Sequence, residues 1–270
     1  MTRCDVLRAV CLLWLGIGLV VAGAHLWTLL PPVLAYVVLA GDGALRPGSG
    51  WLMPVIRHGD RTNPSVALSF DDGPDVTLTP LVLDALQRHQ TRATFFVIGR
   101  HAEAHSDLIR RMASEGHEIA NHSYTHSRFL NMRFRTAMHE DISRGVEALQ
   151  RLCPNVSPTL YRPPMGLKNP SLANLQKRIG LRVVAWSLHA RDTRGRNNAE
   201  KIAERILRCV RAGDIVVFHD GHDLDGKQRG TALVQVLDLI LPTLAQRGLQ
   251  PVTVSEIIGK GAAPELAASR

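Results

Sequence analysis

The chain has 270 residues, 45% of them hydrophobic and 21% charged, enough for one large domain with a sizeable core and a short appendage. Its 32 Lys and Arg against 24 Asp and Glu leave a net +8, but the arginines are scattered and no nucleic-acid-binding motif accompanies them. No nucleic-acid partner is therefore expected, and four cysteines without a CxxC pair exclude a zinc ribbon and a disulfide framework. The charge favours an anionic membrane surface or a phosphate-bearing substrate.

From Ala9 to Gly41 there is no Asp, Glu, Lys or Arg. As one straight helix this run would reach roughly 50 Å, longer than a hydrocarbon core of about 30 Å. Pro31-Pro32 breaks it. Three arrangements fit: a hairpin of two short spans, 9–24 and 26–40; one span ending near Pro31 and then an interfacial segment; or a signal peptide cut at Ala22-Gly23-Ala24, which still leaves 26–40 as an anchor. All three predict attachment to a membrane, expected to be a bacterial inner membrane, with lipid as a partner. Arg3 and Arg8 precede the run, and Arg46, Arg57 and Arg61 follow it. Positive charge on both flanks suits the hairpin, with both ends cytoplasmic, whereas a single span would put the body outside. Residues 1–41 are thus expected as the anchor, 42–63 as a Gly- and Pro-rich linker, 64–260 as the folded body and 261–270 as a flexible tail.

Strand-like and helix-like stretches then alternate. An apolar strand over 66–70 stops at Asp71-Asp72-Gly73-Pro74, and a helical apolar pattern follows over 79–89. A second strand is expected at 93–98, a helix at 102–114, a third strand at 117–120 and a long helix over 135–152. A brief strand at 158–161, a helix at 171–179 ended by Gly180 and a fifth strand at 181–186 come next. A helix at 199–210, a strand at 214–218, a helix at 232–247 and a strand at 249–254 complete the series. Seven such units predict a parallel sheet, most simply a closed or nearly closed barrel, with a doubly wound open sheet as the alternative.

In such folds reactive residues collect at the C-terminal ends of the strands. The strand ends deliver Asp71 and Asp72, then His122 and His126, then Arg162, then His189 and Asp192, and last His219 and Asp220. Two adjacent carboxylates repel each other unless a cation or proton is shared between them. His122 and His126, four apart on a helical turn, face one side and can grip one metal. With a carboxylate from the first strand they form a His-His-Asp set with open positions, as a catalytic divalent ion requires. The second carboxylate is then free to take a proton, and His219 is placed to give one. Arg162, pinned by Pro163-Pro164, is placed to orient a carboxylate.

Ser69-Phe70-Asp71-Asp72-Gly73-Pro74, His122-Ser123-Tyr124-Thr125-His126, Arg162-Pro163-Pro164-Met165-Gly166 and the strand ending in His219 resemble the polysaccharide deacetylases, the metal-dependent esterases of carbohydrate esterase family four. The likeness runs from about Pro64 to Ile258, with the motifs in order. It implies a distorted (β/α) barrel that removes an N-acetyl group from an amino sugar; the expected anchor and the basic body, taken with that rim, point to a sugar on a polyprenyl-phosphate-linked glycan, or else on an envelope polysaccharide. It implies Asp72, His122 and His126 as metal ligands, Asp71 as the base, Arg162 as its orienting partner and His219 as the acid. Zinc is the expected ion, with cobalt as another divalent choice. Met165 stands where an aromatic is common, and His189 where the family often has an aspartate that tunes the catalytic histidine. Two other readings use the same rim: removal of a formyl group, and a catalytically inactive glycan-binding protein.

Overall fold

The computed structural model describes residues 9, 30–127, 130, 135–154, 158–192, 198–221 and 226–259. Residues 10–29, which hold most of the first expected span and the cleavage site, and the expected tail 261–270 lie outside the described residues. Among the described residues no helix is long and apolar enough to cross a membrane. The second expected span falls largely on a helix, α1 (Leu30–Leu45), of 16 residues.

β1 (Ser65–Asp71) is the spine of the body. Its side chains alternate between two layers, as the period of a strand requires. Val66, Leu68 and Phe70 face the helices, in one cluster with Leu83, Leu86, Phe95 and Phe218. Ala67 faces inward, with Phe96, Ala120, Leu160, Val184 and Ile215. Ser69 and Asp71 follow Ala67 on the inward face and meet a buried arginine, described below. Phe70 is fully buried, with its ring 5.0 Å from Phe95 and 5.4 Å from Phe218. Burial on both faces explains why this strand reads as a continuous apolar run.

Around it stand β2 (Thr94–Val97), β3 (Glu118–Asn121), β4 (Leu160–Tyr161), β5 (Arg182–Val183), β6 (Leu188–His189), β7 (Ile215–His219) and β8 (Gln250–Val252). Every pairing is parallel; the order is β5-β4-β3-β2-β1-β7-β6, with β8 beside the start of β1. Of the expected fifth strand, 181–186, only Arg182–Val183 is strand, and β6 at Leu188–His189 lies beyond it. Val184 N still donates to Tyr161 O beside β4, whereas Ser187 N donates to Ile215 O beside β7. The stretch crosses from one sheet edge to the other, and that crossing shortens both pieces. The sheet curls into a distorted, half-closed parallel barrel.

The helices follow the strands as expected, with two adjustments. α2 (Leu78–Arg88) follows β1, but the helix expected at 102–114 is two, α3 (Gly99–Ala104) and α4 (Ser106–Ser114), because His105 leaves the helical region at φ −128°, ψ 53°. α5 (Arg135–Leu152) follows β3, and α6 (Pro170–Ile179) starts where the Asn169 side chain accepts from Leu172 N and stops at Gly180, φ +68°. α7 (Ala199–Cys209) is capped by Asn198, and α8 (Gly226–Gln246) begins earlier than its apolar pattern. α9 (Val254–Ile258) closes the barrel floor with Val254 and Ile257.

The stretch expected as a linker, 42–63, packs on the body. Leu52 and Met53 are buried with Leu172, Leu175 and Val183. Ile56 N donates to Val183 O and Ala185 N to Ile56 O, so one residue fills the gap where the fifth strand crosses. Glycine and proline content marked this arm as irregular; its few apolar residues seat it.

Candidate active site

The strand ends carry every expected site residue to one rim. Asp71 and His219 are register partners at the ends of β1 and β7. Beyond Asp71 the chain turns through Asp72, in the left-handed region at φ +74°. The Asp72 carbonyl accepts from His101 Nδ1 at 3.2 Å. A Cβ on Gly73 would fall 2.4 Å from Asp220 Oδ2, so only glycine fits the turn. Asp220 thus lies behind the turn, and Oδ2 accepts the Thr79 hydroxyl at 2.7 Å. Burial pushes its carboxyl up to about 7, with the Thr79 bond opposing and Asp72 adding to the rise.

Asp72, His122 and His126 converge. Oδ1 of Asp72 is 3.3 Å from His122 Nε2 and 3.1 Å from His126 Nε2, and ligand atoms of all three lie within 4.8 Å of one another. The two imidazoles do not share a helical turn, as their spacing suggested. They sit on a loop after β3 in which Ser123 (φ +69°) and His126 (φ +52°) are both left-handed. The Ser123 hydroxyl accepts from His126 N at 3.0 Å. Asp141 on α5 accepts from Tyr124 N, Thr125 N and the Thr125 hydroxyl, anchoring the same loop.

This donor set fits a divalent ion. Nδ1 of His122 lies 2.7 Å from the Arg162 carbonyl, which can only accept, so Nδ1 carries a proton and Nε2 is the ring atom turned to Asp72, the one that would ligate an ion. Two imidazole nitrogens and one carboxylate oxygen suit zinc or cobalt and leave positions open. Burial works against the Asp72 charge, but the bonds from His122 and His126 outweigh it and hold the carboxyl far below the usual range.

Arg162 is fully buried. Its Nη1 donates to Asp71 Oδ1 at 2.5 Å and to the Ser69 hydroxyl at 3.0 Å. Nη2 reaches the Ala185 carbonyl at 3.2 Å, and the guanidinium lies 3.9 Å from the Phe96 ring centroid. Burial lowers its pKa, with Asp71 pulling the other way. The packed cation sets the direction of the Asp71 carboxylate.

His219 is oriented by Asp192, whose Oδ1 is 3.1 Å from His219 Nδ1 and whose Oδ2 accepts from His219 N at 2.8 Å. Nδ1–H therefore points at the carboxylate and Nε2 is left to exchange a proton. Burial lowers the ring's pKa, but the bond and charge of Asp192, then Asp71 and Asp72, raise it to about 9. The sequence placed Asp192 on the rim without a task; the signal was a carboxylate three residues past His189. His189 stands beside the acid, its ring 5.4 Å from His219 and its Nδ1 accepting from Arg191 N. Met165 is 59% exposed on the rim, at φ +56°.

Known proteins resemble this chain in sequence and in fold. A family model described as polysaccharide deacetylase matches residues 58–184. A chitooligosaccharide deacetylase of Bradyrhizobium sp. is 36% identical over 193 residues, 69% of this chain and 87% of its own. A peptidoglycan-N-acetylglucosamine deacetylase of Bacillus cereus is 37% identical over 195 residues, 72% of this chain and 87% of its own. The structure of a family 4 acetyl xylan esterase from Clostridium thermocellum with a cobalt ion is 35% identical, with a TM-score of 0.62 over 71% of this chain and 89% of that one. Identity at this level over most of both chains makes the chain a member of the polysaccharide deacetylase family, carbohydrate esterase family four.

Proposed function

We propose that the protein is a metal-dependent N-deacetylase acting on an amino sugar of an envelope glycan. The observation that carries the reading is the side-by-side arrangement of the Asp72–His122–His126 donor set and the Asp71–Arg162 pair at the end of β1. A divalent ion held by Asp72, His122 and His126, zinc or cobalt by ligand type, supplies Lewis-acid polarisation of the amide carbonyl and acidifies water. Asp71 accepts the proton of the attacking water, with Arg162 keeping its carboxylate aimed. His219 gives a proton to the departing amine from Nε2, while Asp192 holds Nδ1. The named activities of the relatives from Bradyrhizobium and Bacillus cereus support an N-acetylglucosamine-type substrate. A chitooligosaccharide incubated with the protein is expected to release acetate, and chelation is expected to stop the release. Release of formate from a formylated analogue with none of acetate from the acetylated sugar would replace the reading.

The pH dependence follows from His219. Its acid form is present below its raised pKa, so turnover is expected to fall as pH rises through about 9. Asp192→Asn removes the charge that raises it and leaves the burial that lowers it. The alkaline limb of the kcat profile is expected to move to lower pH. A limb that stays in place would separate His219 from the acid step.

A further inference from the structure

α1 carries an apolar face that the body does not cover. Leu30, Val33, Leu34, Val37 and Val38 are between 47% and 60% exposed, while Gly43 is buried and Tyr36 and Ala44 pack against the core. At its C-terminal end the character changes. Asp42, Arg46, Ser49, Trp51 and Arg57 line a cavity of about 370 Å³. An apolar helical face that ends in arginines and a tryptophan matches a segment seated in a bilayer with its end among the headgroups. The uncharged run from Ala9 continues that character upstream.

The same end of α1 is clasped to the active rim. Lys168 follows β4 by way of the loop that begins with Arg162, and it is 2% exposed. Its Nζ donates to the carbonyls of Arg46 at 2.6 Å and Pro47 at 2.8 Å, and its backbone N–H donates to Ala44 O at 3.0 Å. Pro47 lies against Gly166, where a Cβ would come within 2.5 Å of its ring. The carbonyls that end the helix thus find their donors on the loop bearing the Asp71 partner.

We propose that the outer face of α1 is covered by a lipid bilayer with anionic headgroups, and that the Lys168 clasp holds the active rim beside the headgroup layer. The enzyme then acts on amino sugars presented at the membrane surface, such as lipid-linked glycans. The substrate part rests on the deacetylase reading; the orientation does not.

The test places a fluorescent amino acid, one site at a time, at Val37, Met165 or Gln250 of the full-length protein. Gln250 pairs with Ser65, at the opposite end of β1 from the rim, about 20 Å away. In vesicles of phosphatidylethanolamine and phosphatidylglycerol, acyl-chain quenchers are expected to extinguish Val37. Headgroup quenchers are expected to extinguish Met165 and spare Gln250. Lys168→Ala is expected to relieve quenching at 165 and not at 37. A bright Val37 would show that protein covers α1 and would overturn the proposal, as would a quenched Gln250 beside a bright Met165. Acetate release from a soluble chitooligosaccharide, read on the same vesicles, tests the deacetylase reading separately: its absence removes that reading and leaves the quenching result standing.

Discussion

Asp71→Asn is expected to lower kcat by roughly 10²- to 10⁴-fold, the range for loss of a positioned base, with metal binding retained. The separation of the two effects follows from geometry. Asp72 Oδ1, not Asp71, faces His122 and His126, while Asp71 Oδ1 faces Arg162. An amide at 71 still accepts from Nη1 but cannot take a proton from water. It also leaves the buried Arg162 without a counter-charge, so the folded fraction must be read by circular dichroism beside the rate. A folded, metal-loaded Asp71→Asn enzyme with full activity would assign the base elsewhere.

The second large effect belongs to Arg162→Met. It strips a fully buried cation from Asp71, from the Ser69 hydroxyl and from the Ala185 carbonyl. Removing one partner of a buried pair costs about 3–5 kcal/mol, because the remaining charge stays buried and uncompensated. That is a large fraction of the stability of an ordinary domain, so a clear drop in the urea midpoint is expected. Arg162→Lys keeps the charge but offers a point donor where the guanidinium reaches four partners, the Val184 carbonyl among them, and an intermediate loss is expected. An unchanged midpoint for Arg162→Met would mean that the pair does not hold the barrel wall.

How much of this was legible in the sequence varied with the kind of signal. The spine was plain: 66–70 is apolar throughout because β1 is buried on both faces, and the paired aspartates mark its end. The rim followed from the barrel rule, and Asp71, Asp72, His122, His126, Arg162 and His219 all reached it. The local geometry of His122 and His126 did not follow, since four-residue spacing fits a helical turn as well as a loop with two left-handed residues. Asp192 was seen but given no role, because a loop carboxylate has no period to show what it faces. The fifth strand was read too long, at 181–186, and the strand at 188–189 was missed, since a crossing between two sheet edges leaves each piece only two residues long. The arm at 42–63 looked like a linker because one paired residue, Ile56, and the buried Leu52 and Met53 are too few to outweigh its glycines and prolines.

The central claim is that Asp72, His122 and His126 hold a divalent ion. Elemental analysis of the purified full-length protein beside His126→Ala, both after dialysis against zinc, tests it most directly. One ion per wild-type chain, lost in the variant, is the predicted result. No bound ion in the wild type, or full occupancy in a folded variant, would contradict it.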